Sequence, residues 1–120
     1  MWQFGYAESR RALLSKAGDN MGKTIRTDAV RGLFEAILTL ETEEECFAFF
    51  EDVCTVNEVL SIAQRYSVAK MLKDNHTYLE VANETGASTA TISRVNRSLN
   101  YGSDGYELVF SRLEKKEDKG

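Results

Sequence analysis

The residues best suited to chemistry in this 120-residue chain lie between Gly86 and Asn100, in "GASTATISRVNRSLN". The segment supplies five hydroxyl groups, two guanidinium groups and no carboxylate, although the chain as a whole carries a formal charge of −4. Hydroxyl and guanidinium groups are hydrogen-bond donors of the kind that meet phosphate oxygens and base edges. Nucleophilic chemistry has thinner support. Cys46 and Cys54 lack a CxxC spacing, and the lone His76 falls in a turn beside a helix cap, which reads as a surface position. No enzymatic constellation, metal site or cofactor motif is expected. The thiols read as small apolar side chains in a reducing cytosol.

A helix must hold that hydroxyl-rich face, and the apolar spacing supplies one. Ile92 and Val95 stand three apart with Leu99 four further on, so a helix capped by Ser88 has a buried edge. Upstream, "TYLEVANET" reads as a shorter helix stopped by Gly86, which would take the positive φ of a tight turn. Val81 is expected to face the second helix and Ala82 to be small where that helix crosses. The poorest fit is Thr85, where a larger aliphatic would pack better. Two short helices joined this way, over residues 78–98, predict a helix-turn-helix. The same seam also occurs in helical hairpins that serve only packing.

With the aliphatic edge inward, Thr89, Ala90, Ser93 and Arg97 point outward. Short side chains there would let the helix enter a DNA major groove, where hydroxyls meet base edges and Ala90 meets a thymine methyl. Arg94 and Arg97 fit phosphate or guanine, and the helix start at Ser88 adds partial positive charge. The candidate DNA-contacting set is Thr77, Ser88, Thr89, Ala90, Thr91, Ser93, Arg94 and Arg97. Each has a structural alternative: Ser88 as a cap only, Thr91 bonding its own turn, Arg94 paired with Glu80 or Glu84.

The remaining chain is helical in pattern, without strands and without proline. Val30, Leu33, Phe34, Ile37 and Leu38 make one stripe. Thr42–Glu45, Thr55–Glu58 and Thr77–Glu80 are each spaced as capping boxes. The helix after Thr55 should turn Val59, Ile62, Ala63, Tyr66, Ala69 and Leu72 to one side and end at Asn75. A last helix over 106–113 should pack through Tyr106, Leu108, Val109 and Leu113. In "EEECFAFFEDVC", the residues Cys46, Phe47, Phe49, Phe50 and Val53 cover more than one face, which predicts burial from two sides and a second copy of the chain. Phe49 as a plain exposed aromatic is the alternative. Residues 1–24 read as an extension, with Met21 a plausible start and no signal-peptide core. Residues 25–113 read as one domain and 114–120 as a fraying charged tail. No apolar run approaches the ~20 residues of a membrane span. A cytoplasmic protein is expected.

"GASTATISRVNRSLNYG", together with "LETEEECFAFFEDVCTVNEVLSIAQRYSVAKML", resembles the Trp-repressor-like regulators of bacteria, in their YerC/YecD-type branch. The resemblance covers roughly residues 29–110. It implies an all-α fold of Trp-repressor type, with five to six helices in an intertwined homodimer. Such a dimer would present two helix-turn-helix units to a palindromic double-stranded DNA operator, as a transcriptional repressor. A helix-turn-helix used for protein contacts in transcription, without specific DNA binding of its own, is the other reading. The resemblance also implies a corepressor pocket, whose polar positions match Thr55, Arg65, Arg94 and Ser98. Where the family's tryptophan-binding member has glycine, this chain has Val95. An isopropyl group there should fill the place of the indole, so free tryptophan is not expected as the effector, and no other effector is indicated.

Overall fold

The computed structural model describes residues 24–119, and the reading of 1–23 lies outside them. Six helices follow in order: α1 (Asp28–Ile37), α2 (Glu43–Val53), α3 (Val56–Lys73), α4 (Tyr78–Thr85), α5 (Thr89–Tyr101) and α6 (Gly105–Lys119). No strand occurs among the described residues. The chain divides into two compact units, one up to Val53 and one from Cys54 onward.

Helix starts follow the threonines. Thr55 Oγ1 accepts from Glu58 N at 3.1 Å while the Glu58 carboxylate accepts from Thr55 N at 2.8 Å, and Thr77 with Glu80 repeats the pattern. These two reciprocal boxes each satisfy two backbone donors that would otherwise lack partners. Thr42 forms only half of one. It accepts from Glu45 N at 3.1 Å, but the Glu45 carboxylate reaches one residue further back, to Glu41 N at 2.8 Å. The second bond of the expected Thr42 box is therefore displaced to the preceding residue.

The second unit contains the buried core: Val68 and Ala69 of α3, Val81 of α4, Ala87 of the turn, Ile92 and Val95 of α5, and Phe110 of α6. Burying each large member contributes about 1.5–3 kcal/mol. Two expectations are corrected here. On α3, Tyr66, Ala69 and Leu72 of the expected stripe meet the core, but Ile62 and Ala63 are exposed and Val68 joins the packing instead. On α6, Leu108, Val109 and Leu113 remain partly exposed, at 41–49%, while Phe110 is buried and Tyr106 packs beside it. Phe110 is seized by its neighbours: its ring centroid is 5.6 Å from Tyr66, 6.0 Å from Tyr106, and 5.3 Å from the Lys73 ammonium. Lys73 is in turn held by Glu107 at 2.9 Å.

α6 runs on to Lys119, beyond the 106–113 read from the apolar pattern, because nothing between Ser111 and Lys119 is a glycine or proline, and Leu, Glu, Lys and Arg are good helix formers.

The first unit is different. No residue of α1 or α2 is buried, and Leu33, Phe34, Leu38 and Phe47 remain exposed. Leu38 keeps 83% of its surface. Phe49 and Phe50 are half-buried and meet edge to face, with centroids 5.5 Å apart. Around α1, a shallow groove is lined by Ile25, Val30, Phe34 and Leu38. Scattered apolar exposure is ordinary, but two amphipathic helices with no buried residue between them are not.

Acidification should weaken α3 and α4 through their caps. Hydrogen bonds from the Thr55 and Thr77 backbones, then from their side chains, hold the Glu58 and Glu80 carboxyls below the usual carboxylate range. A lowered native value means that the stabilisation is complete above the ordinary carboxylate range and is lost as pH falls through the native value. The double variant Glu58→Gln, Glu80→Gln should therefore flatten that part of the stability-versus-pH curve, as measured by urea denaturation.

Candidate nucleic-acid interface

The turn between α4 and α5 fixes the candidate face. Gly86 caps α4 at φ 71°, ψ 9°, a left-handed conformation, and its N–H donates to Ala82 O at 2.9 Å. Thr85, which sequence reasoning judged a poor packing residue, has a different task. Its hydroxyl donates to Val81 O at 2.7 Å and accepts from Ala87 N at 3.2 Å, linking the last turn of α4 to the residue that enters the core. Gln64 of α3 donates to Thr85 O at 3.1 Å. A larger aliphatic at 85 would lose the two hydroxyl bonds. The turn before α4 is fixed similarly, with Asn75 at φ 68° and His76 N donating to Met71 O at 3.1 Å.

α5 then lies with Ile92 and Val95 fully inward, at 1% and 2% exposure, and Leu99 packed against the same core. Thr89, Ala90, Ser93, Arg94, Arg97 and Ser98 are all exposed. Ser88 caps the helix: its Oγ accepts from Thr91 N at 3.1 Å and donates to Thr91 Oγ1 at 3.1 Å. The Ser88 proton is thus engaged, while the Thr91 hydroxyl proton remains available to a partner. Thr77 also caps, through its oxygen, which leaves its hydroxyl proton available.

Neither Arg94 nor Arg97 forms an ion pair among the described residues, so the Arg94 pairing with Glu80 or Glu84 is not formed. Glu80 faces elsewhere, into its cap and toward His76 Nδ1 at 3.7 Å. The result is an α5 surface of hydroxyl and guanidinium donors that carries no carboxylate of its own. Such a surface offers many hydrogen-bond donors and positive charge to an anionic partner.

The four positions matched to an effector pocket are all exposed: Thr55 caps α3, Arg65 lies on α3, and Arg94 and Ser98 lie on α5. Val95 fills its position with a side chain sunk in the core. Cys46 and Cys54 are free thiols, the first exposed and the second half-buried. Among the described residues no cluster of His, Cys, Asp or Glu could hold a metal ion, and no helix is long and apolar enough to cross a membrane.

Comparison with known proteins agrees with this architecture. The family model described as Trp repressor protein matches residues 28–114. YerC, an uncharacterised protein of Bacillus subtilis (strain 168), is 51% identical over 98 residues, covering 78% of this chain and 94% of YerC. The crystal structure of a TrpR-like protein from Eubacterium eligens ATCC 27750 superposes with a TM-score of 0.73 at 63% identity, covering 75% of this chain and 93% of that one. A candidate Trp repressor from Staphylococcus aureus gives a TM-score of 0.72 at 54% identity, over 75% of this chain and 90% of that one. Six helices, a glycine-locked pair among them and a match over most of its length mean that the chain belongs to the Trp repressor family.

Proposed function

We propose that the protein is a sequence-specific DNA-binding transcriptional regulator, a repressor, that works in the bacterial cytoplasm as a homodimer. The observation that carries this reading is the exposed face of α5, free of acid and bearing two guanidinium groups that have no ion-pair partner among the described residues. Thr89, Ala90 and Ser93 are short enough to let the first turns of α5 approach base edges. Arg94 and Arg97 meet phosphate or guanine, Thr77 and Thr91 donate to backbone phosphates near the two helix starts, and Ser88, its proton engaged by Thr91, caps the α5 start beside them.

The dimer is supported by the first unit. α1 and α2 bury none of their residues, and α3 and α6 also leave Val56, Leu60, Ile62, Leu108 and Val109 exposed. A second copy is an occupant that could bury such surface and set two α5 helices about 34 Å apart on one side of a duplex. The test is selection of bound duplex from a random pool. Enrichment of a palindromic motif with half-sites about one turn apart is expected, and enrichment of none would contradict the proposal. Binding should weaken steeply as salt rises, and Arg97→Ala should reduce the slope of log affinity against log salt by about one per protomer. Duplex binding that ignores salt would instead favour a helix-turn-helix used for protein contacts.

Tryptophan is not the effector in this account, because the Val95 isopropyl occupies a closed, core-packed position. Calorimetric titration with L-tryptophan should give no micromolar binding; a micromolar Kd would overturn that statement.

A further inference from the structure

The outward stripe of α5 ends in a residue to which no role has been given. With Ile92 and Val95 fixed inward, positions 90, 94, 97 and 101 follow one another at i, i+4, i+7 and i+11, on the side facing away from the core. Tyr101 closes this row and is 86% exposed, the highest value among the large apolar and aromatic side chains of the described residues. Its neighbours are held. The Asn100 amide folds back onto Asn96 O at 2.9 Å, and Gly102 ends the helix where a Cβ would collide with the Ser98 carbonyl. No described residue accepts a hydrogen bond from the Tyr101 hydroxyl.

Length decides what this phenol can reach. Ala90 and Tyr101 are eleven residues apart, about 16 Å along the helix. The major groove is about 8.5 Å deep and about 12 Å wide. A helix entering with Thr89, Ala90 and Ser93 therefore carries its bulky end, beyond Arg97, to the groove wall. There the accessible partners are phosphate oxygens.

We infer that Tyr101 is a neutral anchor of the DNA interface, its phenol donating a hydrogen bond to a backbone phosphate oxygen while Arg94 and Arg97 supply the charge. The inference rests on the DNA-binding reading above. A phenol brings no positive charge, so its contact with phosphate releases no counterions on binding, whereas a guanidinium's contact does. This separates Tyr101 from its arginine neighbours and from a base-reading residue.

The experiment measures affinity across a salt series for wild type, Tyr101→Phe and Arg97→Ala. The probes are the duplex enriched by selection and an unrelated mixed-sequence duplex of equal length. Tyr101→Phe should bind both duplexes about tenfold more weakly, with an unchanged salt slope and an unchanged melting temperature. Affinity equal to wild type, a reduced slope, an effect on the enriched duplex alone, or a shifted monomer–dimer equilibrium would each overturn the anchor. Wild type that retains neither duplex would sink the DNA-binding reading itself, whereas wild-type binding with an indifferent Tyr101→Phe would sink only the anchor.

Discussion

The packing of Ile92 and Val95 against Val68, Ala69 and Val81 decides which side of α5 meets the outside. A helix has only one phase. Once those two branched side chains are buried, the positions of Thr89, Ala90, Ser93, Arg94, Arg97 and Tyr101 are dictated by the 3.6-residue repeat. Gly86 holds the phase from the other end, since its left-handed backbone lets α4 stop and α5 leave at an angle. Thr85 and Gln64 fasten that turn to α4 and α3 by hydrogen bonds rather than by apolar packing. The α5 helix is accordingly backed by core and fronted by polar side chains.

Charge placement completes the arrangement. An acidic protein can bind a polyanion only if its carboxylates are kept off the contact face. On α5 this is achieved by absence, and on α4 the Glu80 carboxylate is engaged in the Thr77 cap. α1 and α2 pose the complementary problem, that of apolar surface with nothing to cover it, where Leu38 and Phe47 are exposed in a single copy. Both features are legible as consequences of where side chains of one type cluster.

Much of this was readable from residues alone, for identifiable reasons. The positions with a single physical solution were plain: Gly86 at a positive φ, Val81, Ile92 and Val95 inward, and threonines three residues before glutamates at the starts of α3 and α4. Positions with competing solutions were not. Thr85 looked like a packing fault because apolar reasoning takes no account of a hydroxyl bridging two backbone groups. Val68 and Phe110 were missed because α3 and α6 carry apolar residues on several faces, so that periodicity alone does not say which face meets this core. The Glu45 bond went to Glu41 because a side chain can reach either of two neighbouring N–H groups, and spacing does not distinguish them. α6 extends past residue 113 because charged helix formers continue a helix after its apolar periodicity has ended.

The front of α5 is the proposed seat of the duplex. Nuclear magnetic resonance tests it most directly, by titrating the ¹⁵N-labelled protein with a selected duplex. The largest changes should fall on the amides from Ser88 to Arg97 and on the Arg94 and Arg97 side-chain Nε–H signals. Changes confined to α1 or α2, with those α5 signals unmoved, would contradict it.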